Sequence, residues 1–276
     1  MKVSAGPFFF KMHKIIFCSD LHGNERIYEV LFEKAKDKSI KAILIGGDIC
    51  PHFRGPINMG IDVQQGFLKN YLIPKAKKFD KELFIMMGND DFRANLDVMK
   101  KAEKDGVFNL LDSNVKKIHN FFLVGYSFVN PHPFLLKDWE KPDYDDSEVI
   151  IEESRAIRTA EKANGTIIQD LGGLKRLSNP KKTIYVMHAP PFNTKLDASY
   201  HGQHFGSKAI KEFINKEQPP LTLHGHVHES SKISSWRDEI GKTICLNPGS
   251  DHFNSKLNYV IIDLDNLEDI KHFSEV

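Results

Sequence analysis

The residues able to act as metal ligands fall in five short stretches: Asp20-Leu21-His22, Asp48, Asn89-Asp90-Asp91, His188 and His226-Val227-His228. Carboxylate, amide and imidazole donors in sets of three or four suit divalent first-row ions such as Mn, Fe, Zn, Co or Ni. Asp20, His22, Asp48, Asn89, His188, His226 and His228 together suffice for two divalent metal ions sharing one bridging carboxylate. A lone histidine is more often structural than ligating, and Asp-x-His arises readily by chance. Gly-His-x-His is much rarer in a chain with 13 histidines, so the weight lies on the set.

Each of these stretches follows an apolar run with strand character, at residues 14–19, 42–45, 83–87, 183–187 and 221–223. Apolar periodicity predicts helices over 25–38, 62–79 with Pro74 as a kink or break, 95–105 and 207–216. Two more strands are expected at 243–246 and 259–264. Strands alternating with helices predict an α/β fold with a largely parallel sheet. Sites in such sheets gather beyond the carboxyl ends of the strands, which would bring the five stretches together.

The middle of the chain breaks this rhythm. Residues 115–126 read as a hairpin, 130–144 as a loop, and 147–164 as a helix stopped by Gly165. The expected organisation is a single domain over 12–276, with 130–180 as a cap-like insertion and 1–11 as an N-terminal extension.

A composition of 41% hydrophobic and 27% charged residues excludes wholesale disorder. A net charge of +1 argues against tracking a nucleic-acid backbone. Cys18, Cys50 and Cys245 are too scattered for a disulfide framework, which points to a reducing, cytoplasmic setting. No apolar run approaches the roughly 18 residues that cross a bilayer, so no membrane partner is expected. Oligomeric state stays open, a homo-oligomer included.

Asp20-x-His22, Gly47-Asp48, Gly88-Asn89, His188 and Gly225-His226-x-His228 resemble the signature of the calcineurin-like metallophosphoesterase superfamily. The stretches HAPPFNT (188–194), GSKAI (206–210), HGHVHES (224–230) and NPGS (247–250) are similar to its prokaryotic branch related to cyclic-nucleotide phosphodiesterases. The resemblance implies a four-layer α/β/β/α sandwich of mixed sheets over a dinuclear centre. It places Asp20, His22 and His228 on one metal, Asn89, His188 and His226 on the other, and Asp48 between them. It implies a phosphoester substrate, a small and nucleotide-like diester being the leading expectation.

One position departs from the pattern. The family's third motif usually reads Gly-Asn-His-Asp/Glu, whereas this chain has Gly88-Asn89-Asp90-Asp91. The missing histidine usually protonates the leaving oxygen or steadies the phosphate. A carboxylate there repels a dianionic monoester more than a monoanionic diester. At an assumed separation of about 5 Å and an effective dielectric constant of ~20, each unit charge is worth about 3 kcal/mol before screening. The expected catalytic residues are therefore Asp48, Asn89 and Asp90, with His204, in a Gly-rich loop beside His201, as a candidate replacement acid. A monoesterase, a nuclease, a scaffold lacking catalysis and a nucleotide-binding module are the competing readings.

Overall fold

The computed structural model describes residues 13–276 except 148. The extension expected at 1–11 lies outside the described residues. The strands are β1 (Lys14–Cys18), β2 (Ile40–Ile45), β3 (Glu82–Ile85), β4 (Asn109–Leu110), β5 (Val115–Ile118), β6 (Phe121–Tyr126), β7 (Thr183–Met187), β8 (Leu221–Leu223), β9 (Arg237–Ile240), β10 (Thr243–Leu246), β11 (Leu257–Asp263) and β12 (Asn266–Glu275). The α-helices are α1 (Glu25–Lys34), α2 (Ile57–Phe67), α3 (Ile73–Ala76), α4 (Leu96–Lys104), α5 (Ile167–Leu174), α6 (Lys208–Glu217) and α7 (Ser230–Ile233).

Two six-stranded sheets form, in the orders β12-β11-β1-β2-β3-β4 and β5-β6-β7-β8-β10-β9. Neighbours from β1 to β4 are parallel, as are those from β6 through β7 and β8 to β10. Antiparallel β11, β12, β5 and β9 complete the edges, so both sheets are mixed. Alternation along β1 explains the layering. Ile15 and Phe17 join Leu44, Phe84, Val186 and Leu223 in a core between the sheets. Ile16 and Cys18 face the other way, among Ile27, Leu31, Leu68 and Met99 of the helices. Tyr126, Tyr185 and Met187 of the second sheet pack beneath Leu171, Ile210 and Phe213. The result is the four-layer α/β/β/α sandwich.

Pro74 does not end its helix. Between α2 and α3 the chain widens into a π-turn over Leu68–Leu72, which accommodates the ring without a break.

Among the described residues of 147–164 the expected helix does not form. They hold a short 3-10 turn, Glu153–Arg155, and leave Val149 and Ile150 exposed. Long-range pairing won over local propensity. Ile157 N–H donates to Leu135 O and Lys137 N–H to Ile157 O. Asp138 accepts from Arg93 N–H at 2.8 Å and Thr159 N–H at 2.7 Å. The helix forms beyond Gly165 instead, where Thr166 and Gln169 make a reciprocal capping box for α5.

Asp138 thus ties this loop to the segment after Asn89. Asp138→Ala leaves two amide N–H groups without acceptors, at a cost of about 2 kcal/mol. Hydrogen exchange should show protection lost at Arg93 and Thr159 while β1 to β3 remain protected.

Candidate metal centre

Five loops at the carboxyl ends of β1, β2, β3, β7 and β8 carry the seven expected ligands to one point. Asp48 sits centrally. His188 Nε2 lies 3.3 Å and His22 Nε2 3.9 Å from its Oδ2. On one side, His228 Nε2 is 3.4 Å from Asp20 Oδ1 and 3.1 Å from His22 Nε2. On the other, Asn89 Oδ1 lies 3.0 Å from His188 Nε2 and 2.6 Å from His226 Nδ1. Ligand atoms of Asp20, His22, Asp48 and His228 all lie within 4.8 Å of one another.

The backbone bends sharply to achieve this. Asp20, His22, Asp48 and His226 take positive φ values of 59°, 44°, 49° and 67°. Such conformations carry strain of order 1–3 kcal/mol each, and they cluster at functional sites. Neighbouring glycines make the room. A Cβ on Gly88 would stand 2.3 Å from Asp48 Oδ1, and one on Gly225 2.4 Å from Asp20 Oδ2.

Hydrogen bonds set the direction of several of these side chains. His188 Nδ1 lies 2.8 Å from Gly46 O, so that nitrogen carries a proton and Nε2 is the ring atom turned to the cluster. Asn89 donates its amide N–H to Asp90 Oδ1 at 2.9 Å, which points its oxygen at the imidazoles. Asp20 receives His226 N–H on both oxygens at 3.1 Å. Beneath, Asn247 Nδ2 donates to Gly225 O and Val227 O at 3.1 Å, bracing the His226 loop. His224 lies buried beside Met187 O, Ala189 O and Thr222 Oγ1, supporting the strands without facing the ligands.

The donor set fits divalent cations. Carboxylate, amide and imidazole atoms converge there, and among the described residues buried His22 Nδ1 has no hydrogen-bond partner. Burial opposes a proton on His188, but the Asp48 and Asp20 carboxylates outweigh it and raise that imidazole to about 10. Burial also lifts Asp48, and it drives His22 and His226 well below 6.5. Without cations the cluster must hold protons between its carboxylates, and cations would displace them.

Asp91, the last residue of the third motif, is structural. Its carboxylate accepts N–H groups from Gly88 at 2.8 Å, Ile49 at 3.1 Å and Cys50 at 2.8 Å. Burial and the nearby Asp48 charge push it up to about 7.

His52, Arg54, Asp90, Pro131, His132, Phe134, Phe205 and Phe253 line a cavity of about 860 Å³ with Asp48, Asn89, His226 and His228. His204 stands elsewhere, its Nδ1 2.7 Å from Asp197, lining an open groove with Lys195 and Tyr200. The structure therefore does not bring His204 to the ligand set. His52 is the imidazole beside Asp90, with Nδ1 3.0 Å from Oδ2. Trp139 is buried and donates to Asp91 O at 2.8 Å, and Arg93 lies over the Phe128 and Trp139 rings. The sequence motifs do not include His132 and His252, whose rings lie 6.0 Å from His226 and 4.2 Å from His22. The one available signal for His252 was its place two residues beyond the turn-forming NPGS stretch.

With fold and ligand set in view, the class is settled: the chain belongs to the calcineurin-like phosphoesterase family, whose profile matches residues 13–230. That family's chemistry is metal-dependent phosphoester hydrolysis. An uncharacterized protein of Methanocaldococcus jannaschii is 27% identical over 262 residues, covering 92% of this chain and 97% of its own. One crystal structure superposes with a TM-score of 0.70 at 16% identity, over 96% of this chain and 100% of that one. Another, of a Thermus thermophilus protein, does so at 0.60 and 15% identity, over 95% and 98%. These two show the shared fold. Among the described residues no helix is long and apolar enough to cross a membrane.

Asp91→Ala should strand three buried N–H groups and cost about 3 kcal/mol, lowering Tm by on the order of 10 °C. Mn²⁺ at about a hundred times its Kd should add about 2.7 kcal/mol to the stability of the native chain. Calorimetry at falling pH should show the affinity for Mn²⁺ weakening, because protons compete for the imidazoles and carboxylates.

Proposed function

We propose that this chain hydrolyses small phosphodiesters. Asp20, His22, Asp48 and His228 would hold one divalent ion, and Asp48, Asn89, His188 and His226 the other. Two such ions supply positive charge for the phosphoryl oxygens and lower the pKa of a water toward neutrality. The chain's own residues orient that chemistry. Gly46 O fixes the His188 tautomer, and Asp90 aims the Asn89 oxygen. His52, bonded to Asp90 through Nδ1, keeps its Nε2 edge for a phosphoryl oxygen.

The observation that carries the preference for diesters is the Asp90 carboxylate, which lines the same cavity as the ligands. A monoester brings a second negative charge toward it, and a diester does not. Burial works to raise Asp90, but its bond to His52 prevails and the carboxyl stays below its ordinary value. His52 is correspondingly raised from 6.5 despite its own burial. The pairing weakens the repulsion of a dianion without removing it.

A nucleotide-like phosphoester is the expected partner, and the balanced charge of +1 argues for a small molecule over a nucleic-acid polymer. Residues 131–134 of the cavity wall come from the 130–180 stretch, which supports reading it as a cap over a single domain. Cys18, Cys50 and Cys245 are buried free thiols, in keeping with a cytoplasmic setting.

A panel of bis-p-nitrophenyl phosphate and p-nitrophenyl phosphate with Mn²⁺, Mg²⁺, Co²⁺ and Ni²⁺ tests the reading. Diester turnover should exceed monoester turnover by about tenfold or more, equivalent to about 1.4 kcal/mol; the reverse order overturns it. Asp48→Ala should abolish both activities. Asp90→His should raise monoester turnover.

A further inference from the structure

The cavity that holds the ligand set is walled by apolar rings that packing does not require. Phe253 is 82% exposed, Phe134 59% and Phe205 37%, and all three line it. Large apolar side chains gathered in a cavity with convergent polar groups mark a ligand contact.

The rings flank the ligands from two directions. Phe253 packs on His252, with centroids 4.0 Å apart, and lies 7° from parallel with His52 at 6.3 Å. His52 in turn stacks on His22 at 3.8 Å and 14°. Phe134 packs on His132 at 5.4 Å, and His132 lies 6.0 Å from His226. One shelf therefore adjoins the His22 side and the other the His226 side. A phosphodiester carries two organic arms, one on each ester oxygen. A volume of about 860 Å³ falls toward the upper end of ordinary ligand cavities, roughly 300–1,000 Å³, with room for both arms.

The turn that carries Phe253 is also anchored. It sits in the short turn His252–Asn254, where Asn24 Nδ2 donates to His252 O at 2.9 Å and Ser250 Oγ lies 3.1 Å from His252 Nδ1. A flat ring presented on an anchored turn favours a flat partner, because stacking then orders little further chain. We propose that Phe253 is a stacking shelf for a planar ring of nucleobase size on one arm of the substrate, while Phe134 and Phe205 wall the other arm. This rests on the phosphodiesterase reading and adds the chemistry of the arm.

Calorimetry with the Mn²⁺-loaded chain, using adenosine 5′-monophosphate and ribose 5-phosphate as probes, separates the two ideas. The nucleotide should bind about tenfold tighter than the sugar phosphate, the scale of one base stacked on one aromatic ring. Phe253→Ala should erase that gap while leaving ribose 5-phosphate affinity unchanged, and Phe134→Ala should preserve it. Phe253→Trp should show indole fluorescence quenched by the nucleotide and not by the sugar phosphate. Equal binding of both probes to the native chain, or a gap that follows Phe134 instead, overturns the shelf and leaves the phosphoesterase reading standing. Failure of the nucleotide to bind at all also overturns the shelf, and the phosphodiesterase reading is then decided by the diester panel.

Discussion

Seven lone-pair donors crowded together out of water are the constraint around which the rest of this molecule is arranged. Asp20 and Asp48 are almost wholly buried, with Asp90 and Asp91 in the same neighbourhood. Charges collected in this way repel one another and lose hydration, so the arrangement persists only with protons or cations between them. The scaffold holds it by rigidity. Two parallel sheet cores deliver five loops to one edge, and buried hydrogen bonds from Asn247, Asp91 and Gly46 keep those loops from relaxing.

The same network assigns roles to residues that look alike. Asp90 and Asp91 are adjacent carboxylates with opposite duties. Asp91 turns inward and caps three backbone N–H groups, whereas Asp90 turns to the cavity, orienting Asn89 and pairing with His52. Where the family pattern has a histidine in the third motif, this chain has a carboxylate with an imidazole brought from the loop after Asp48. Two loops thus supply the pair of side chains found at that position.

The 130–180 stretch is held by pairing with the rest of the fold and not by its own helix. Asp138, Trp139 and Arg93 tie it to the segment that follows the third motif, beside the ligands. Its phenyl and proline side chains then finish a wall that the sheet loops leave open. This stretch and the loop bearing Asn89 are tied together at this edge.

Much of this was legible in the residue string alone. Apolar runs marked most of the strands, and each ligand stretch stood directly after one of them, because strand ends and loop chemistry are local properties. Gly88 and Gly225 stood in the motifs, but that a carboxylate lies too near each for a Cβ is seen only in the fold. Other features had no local cause. The apolar periodicity of 147–164 looked helical, yet backbone pairing with Leu135 and Lys137 drew it into an extended path. His204 resembled a replacement acid, yet its ring pairs with Asp197, and it is His52, which no motif marks, that meets Asp90. Period and composition are written along the chain, but which side chain faces which is settled by the packing of distant segments.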